Sequence, residues 1–243
     1  MTSAKAAFLS VFNRTDAPRR DTLRHELARE RARDKSIVLK QRLVLASASP
    51  RRLTLLAQAG VEPDALRPAS IDEKPKAGEM PRGLVMRLAR TKAETARDQI
   101  ANDRDLADAY VLAADTIVVT GRKIFGKPQH MEEAAAMLLR LSGRSHRVLT
   151  GICLITPDDK LRTKIVSTRV TFKNLSRAEI EAYIASREWR GKAGGYAIQG
   201  LAGAFVVKLV GSYSSVVGLP LYETQSLLLG DGFPARLNWA NRA

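Results

Sequence analysis

A chain of 243 residues with 45% hydrophobic content can bury a substantial core, as one large domain or two small ones. No apolar run approaches the roughly 18–20 residues a membrane span needs, the stretch AAFLSVF at 6–12 lacks a signal-peptide cleavage site, and one cysteine excludes an internal disulfide. The net charge of +15 points to nucleic acid, to a phosphate-rich small substrate or to a basic background with no specific partner, and few aromatics are available for base stacking, so nucleic acid is not the expected partner. The lone cysteine makes the reducing cytoplasm the default setting.

Residues 1–40 are dense in charge of both signs and offer little to bury. They read as an extension, helical or disordered, before a domain expected over 41–232 and a tail over 233–243. Asp16, Asp21, Glu26, Glu30 and Asp34 argue against a mitochondrial transit peptide.

The segment 43–60, LVLASASPRRLTLLAQAG, predicts a buried strand, a turn of small residues and a helix. Ser49 suits the N-cap, Pro50 the first helical position and Gly60 the stop. Arg51 and Arg52 fall in the first helical turn, where the helix dipole already favours anions. With the hydroxyls of Ser47 and Ser49 they form a candidate oxyanion cradle.

VEPDALRPAS predicts a second strand, and IDEKPKAGEMP a polar loop that carries Asp72, Glu73, Lys74 and Lys76. Pro81 opens a long helix whose apolar face is made by Leu84, Leu88 and the Val85/Ala89/Lys92 rows; Lys92 lies beyond that face, where the bland alternative is a solvent lysine. YVLAADTIVV reads as a strand with Asp115 and Thr116 inside it. A carboxylate within a buried run is costly unless paired or metal-bound, which marks Asp115 as functional. GRKIFGK has the spacing of a phosphate-binding P-loop, but Pro128 stands where a metal-binding hydroxyl belongs and the segment reads as a hairpin. Lys127 can still reach a phosphate by another route.

A helix over 131–141 and an antiparallel pair, SHRVLTGICLIT with LRTKIVSTRVTF, come next. Cys153 reads as a buried strand residue and His146 as a polar residue at a strand edge. Ser176 and Glu179 form a capping box for a further helix. The glycine-rich GKAGGYAIQG follows, then a strand and polar turn in AFVVKLVGSYSSVVGLP, and a last helix after Pro220.

SASPRR, IDE, AADT, FGKP and GKAGGYAIQG together offer cations for phosphates, carboxylates for a metal or a general base, and a glycine-rich wall. That inventory suits hydrolysis of a phosphoanhydride. The run from LASASPRR through LARTKA, LSGRSHRVLTG and GSYSSVVGLPLYET resembles the Maf family of nucleoside triphosphate pyrophosphatases over about residues 42–230. The resemblance implies an α/β fold, a twisted mixed sheet flanked by helices in two lobes about a central cleft, related to the inosine triphosphatases. It implies a homodimer, a divalent cation (Mg²⁺ or Mn²⁺), and cleavage of a nucleoside triphosphate to monophosphate and pyrophosphate.

The family has a dTTP/UTP branch and a 7-methyl-GTP branch. Arg51, Thr116 and Gln199 match the first, and an amide such as Gln199 can both donate to and accept from a pyrimidine. On this reading Asp115 acts as general base or metal ligand, with Glu73 as second carboxylate. Arg51, Arg52, Lys92 and Lys127 bind the triphosphate beside Ser47 and Ser49, and attack falls at the α-phosphorus. Lys127 is counted with the catalytic groups. The alternatives are the 7-methyl-GTP branch, and a septum-formation regulator or nucleic-acid binder acting through the basic N-terminal arm. The family's cellular associations are clearance of non-standard nucleotides and arrest of cell division.

Overall fold

The computed structural model describes residues 41–235, so the charged extension over 1–40 and the tail after 235 lie outside the described residues. Seven strands form one mixed sheet in the order β2-β1-β3-β5-β6-β7, with β4 paired to β3 beside that path. β1 (Leu43–Leu45) runs parallel to both β2 (Ala65–Leu66) and β3 (Tyr110–Thr120). β4 (Lys123–Phe125), β5 (Ser145–Ile155), β6 (Leu161–Phe172) and β7 (Val206–Val210) all pair antiparallel to their neighbours.

Side chains alternate across a strand, and the core divides accordingly. On β3, Val111, Ala113, Ile117 and Val119 face one side, while Tyr110, Leu112, Ala114 and Val118 face the other. The first side is covered by α2 (Pro81–Ile100), whose Leu84, Val85, Leu88, Ala89, Ala93, Ala96 and Ile100 are buried. The helix sits close: a Cβ at Gly151 of β5 would stand 2.7 Å from the Val85 carbonyl oxygen. The second side buries α1 (Pro50–Gln58), α3 (Met131–Leu141), α4 (Arg177–Ala185), α5 (Tyr213–Val217) and α6 (Leu221–Gly230) through Leu55, Leu138, Ile180, Val217 and Leu228.

The core extends to Phe233 and Ala235, and Phe233 meets Tyr110 edge-on with centroids 5.4 Å apart. The long antiparallel pair β5–β6 keeps register from Ser145–Thr171 to Ile155–Leu161. Cys153 is fully buried in β5, and burial pushes its thiol up to about 12, so it is packing material rather than a nucleophile.

Four local expectations change. Ser49 holds the N-cap position of α1, but its side chain makes no capping bond. The second strand shrinks to two residues, because Pro63 and Pro68 flank it and proline cannot donate to a ladder. The expected turn after β7 winds into α5, with Ser212 Oγ accepting from Ser215 N–H. His146 lies buried within β5 rather than at an edge. Its Nε2 is 2.7 Å from the Tyr196 hydroxyl, its ring packs edge-on to Phe172, and burial lowers it to about 4. The capping box at Ser176 forms as its sequence predicts.

Candidate active site

The site lies where β1 ends and β3 runs on. Ala46 N–H donates to Leu112 O at 2.8 Å, after which the chain leaves the sheet through Ser47, Ala48 and Ser49 into α1. The uncovered part of β3 that follows carries Asp115 and Thr116. A cavity of about 440 Å³ opens there, and all ten residues singled out in the sequence line it.

The acidic end of this cleft is a chain of ion pairs. Lys92 Nζ lies 2.6 Å from Asp115 Oδ1 and 2.6 Å from Glu73 Oε1, and Lys127 Nζ lies 2.6 Å from Glu73 Oε2. Lys92 and Asp115 are both buried. Lys92 therefore does not face solvent: it lies on the stripe Val85–Ala89–Lys92 that α2 turns to the sheet, and Asp115 supplies the charge that lets it stay there. Burial works against the Glu73 carboxylate's charge, yet the hydrogen bonds from Lys127 and Lys92 outweigh it and hold its pKa down at about 2.

The opposite end is cationic. Arg52 Nη1 donates to Ser47 Oγ at 3.1 Å, and its Nε donates to Gly218 O at 2.8 Å, tying α1 to the α5–α6 junction. Burial lowers its pKa, and Arg51 beside it adds to that. Ser47 Oγ also accepts from Ser49 N–H at 3.2 Å, so the Ser47 hydroxyl keeps its proton for a ligand. The cradle rests on side chains more than on the helix end. Pro50 has no N–H, and the N–H groups of Arg52 and Leu53 turn back to Ser49 O.

Two cations on this wall escaped sequence reasoning. Arg190 stacks over Trp189 at 5.7 Å, and Lys192 donates to Arg190 O at 2.9 Å; both line the cleft. Burial lowers Lys192, and Arg51 lowers it further. Lys192 is the single cation of GKAGGYAIQG, a segment whose glycines carry the stronger local signal.

Gln199 is exposed in the same cleft, and its loop is braced on both sides. Ala197 N–H donates to the Tyr183 hydroxyl at 3.1 Å, that hydroxyl donates to Glu188 Oε1 at 3.2 Å, and Leu201 N–H donates to Glu188 Oε2 at 3.1 Å. Arg187, just before Glu188, has φ 60, a sparsely populated backbone state for a residue with a Cβ. A Cβ at Gly200 would stand 2.2 Å from Glu188 Oε2, so a side chain there would have to displace the carboxylate that braces the loop.

Across the strand from Asp115, Thr116 Oγ1 lies 2.9 Å from Thr150 Oγ1, which in turn lies 2.7 Å from Ser215 O. The cleft thus pairs a buried carboxylate, a bridging ammonium and a further bank of cations, with hydroxyl and amide groups nearby. Such an arrangement can bind a polyphosphate and take a proton from water beside it.

Proteins similar to this chain bear on that reading. The dTTP/UTP pyrophosphatase of Chelativorans sp. (strain BNC1) is 65% identical over 198 residues, spanning 82% of this chain and 95% of that protein. The dTTP/UTP pyrophosphatase of Bradyrhizobium diazoefficiens is 60% identical over 200 residues, spanning 82% and 96%. That of Rhodopseudomonas palustris (strain ATCC BAA-98 / CGA009) is 61% identical over 200 residues, spanning 82% and 97%. The family described as Maf-like protein matches residues 42–230, and with that match the chain belongs to the Maf family.

Proposed function

We propose that this chain hydrolyses dTTP and UTP to the nucleoside monophosphate and pyrophosphate, by attack of water at the α-phosphorus. One observation carries the reading: the Lys92 ammonium bridges Asp115 and Glu73 at 2.6 Å in a cleft whose walls also carry Arg51, Arg52 and Lys127. The names of the relatives supply the nucleotides.

In this account the triphosphate enters along the cationic wall. Lys92 and Lys127, now paired with Glu73, turn part of that interaction toward phosphoryl oxygens, where negative charge develops as the bond breaks. Ser47 donates its hydroxyl proton, and Arg51 and Arg52 hold the phosphates. Asp115, buried and oriented by Lys92, accepts the proton of the attacking water. Thr116 and Gln199 face the base.

The donor set fits a hard divalent cation. Asp115 and Glu73 lie close enough for one ammonium, Lys92 Nζ, to reach both at 2.6 Å, so the two carboxylates could serve one cation with Lys92 staying beside it. Mg²⁺ is commonly held by one or two carboxylates, with substrate phosphates and water filling its shell. Among the described residues no group of three or more His, Cys, Asp or Glu converges, so the other ligands would come from substrate and water. Asp115 and Glu73 would hold the cation, which when bound supplies Lewis-acid stabilisation of phosphoryl oxygens. A homodimer in the cytoplasm belongs to the same reading. The edge strand β7, with Val207 and Val210 exposed, offers a second copy a surface to pair with, and no helix among the described residues is long and apolar enough to cross a membrane.

The test is pyrophosphate release from dTTP, UTP, dCTP and 7-methyl-GTP with Mg²⁺ or Mn²⁺. Preferential turnover of dTTP and UTP is expected. Strong preference for the methylated purine would overturn the choice of branch, and no release from any nucleotide would overturn the enzyme reading.

A further inference from the structure

We infer that Thr150 fixes the hydrogen-bond polarity of Thr116, so that Thr116 offers the cleft an acceptor only and selects a base with a ring N–H. The inference rests on the reading that this cleft takes pyrimidine nucleotides with the base beside Thr116.

Thr150 is fully buried on β5, directly opposite Thr116 on β3. Its Oγ1 lies 2.7 Å from the Ser215 carbonyl oxygen, which can only accept, so Thr150 donates there. A hydroxyl has one proton. Thr150 must therefore accept at its other contact, and the Thr116 proton, 2.9 Å away, points to Thr150. What remains of Thr116 Oγ1 toward the cleft is lone pairs.

The far end of this relay is anchored. Ser212 Oγ accepts from Ser215 N–H at 3.1 Å, and Ser212 N–H donates to Thr168 Oγ1 on β6 at 3.0 Å. The carbonyl that orients Thr150 is thus held by a cap and by the sheet.

The chemistry separates uracil and thymine from cytosine. The first two carry a ring N–H between two carbonyls; cytosine carries an unprotonated ring nitrogen there. A fixed acceptor bonds the N–H and opposes the bare nitrogen lone pair to lone pair. Gln199 cannot make this distinction alone, because an amide can turn to suit either base. Thr150 is a positioning residue, acting through Thr116.

The experiment measures kcat/KM for dTTP and dCTP, with thermal melting, on the wild type and on Thr116→Val, Thr150→Val and Thr150→Ser. Thr150→Ser keeps the hydroxyl and should keep the dTTP/dCTP ratio. Thr150→Val frees the Thr116 proton and should lower the ratio by roughly tenfold or more, chiefly by raising use of dCTP. Thr116→Val should lower it by losing dTTP. An unchanged ratio in Thr116→Val would mean that Thr116 does not read the base, and the reading underneath fails. A lowered ratio in Thr116→Val, with dTTP and dCTP reduced in equal proportion in Thr150→Val, would overturn the relay alone. Should Thr150→Val not fold, Thr150→Ala carries the same prediction, since it too removes the hydroxyl and frees the Thr116 proton.

Discussion

Lys92 on α2 and Asp115 on β3 meet at 2.6 Å across the helix–sheet interface, both buried, and each is the other's reason for being tolerated there. Their third partner, Glu73, comes from a loop and is about two-fifths exposed, so it is the member of the network best placed to let go. Lys92→Met should leave Asp115 without its cation and destabilise the fold by about 3–5 kcal/mol, read by urea unfolding. An unchanged midpoint would show that the pair does not hold helix to sheet.

Asp115→Asn keeps a hydrogen-bond acceptor for Lys92 and removes the base. The expected outcome is a folded protein whose kcat falls about 10²–10⁴-fold in a pyrophosphate-release assay. Near-normal turnover would take Asp115 out of the mechanism.

Acid should destabilise the protein in two windows of the same sign. His146 is held at about 4 by burial, below its ordinary 6.5. The unfolded chain therefore binds the proton first, and stability drops as pH falls from 6.5 toward 4, by about 3 kcal/mol. Glu73, held at about 2 against an ordinary 4.5, contributes stability above pH 4.5 that is lost as pH falls toward 2. His146→Gln can keep a hydrogen bond to Tyr196 and should abolish only the first window in a pH series of melting temperatures.

Gly151→Ala should push α2 off the sheet, because the added Cβ meets the Val85 carbonyl at 2.7 Å and backbone cannot swing aside. A loss of about 1–3 kcal/mol is expected, with reduced turnover as Lys92 moves away from Asp115. Cys153→Ala, on the same strand, should cost stability without moving the helix. Equal effects on turnover would contradict the helix-displacement account.

Much of this was readable in the chain. The apolar run of β1, the proline-led helices, the capping box at Ser176 and the antiparallel pair after 145 each follow from local rules, and they appear where those rules put them. The carboxylate inside β3 marked the site, because burying Asp115 needs a reason. What stayed hidden depends on partners distant in sequence. Lys92 reads as a solvent lysine until Asp115, 23 residues away, is known to lie beneath it. Thr150 looks like any strand threonine until Ser215, 65 residues on, supplies the carbonyl that orients it. His146 gives no local sign that Tyr196, 50 residues on, will meet its ring in the core. Tyr183 and Glu188 brace the Gln199 loop through backbone N–H groups, which no side-chain pattern announces.

The central claim is cleavage between the α- and β-phosphates by water directed at the α-phosphorus. Hydrolysis of dTTP and UTP in ¹⁸O-labelled water tests it most directly, with both products analysed by mass spectrometry. The account predicts one label in dTMP or UMP and none in pyrophosphate. Label in pyrophosphate, or release of orthophosphate with a nucleoside diphosphate, would contradict it.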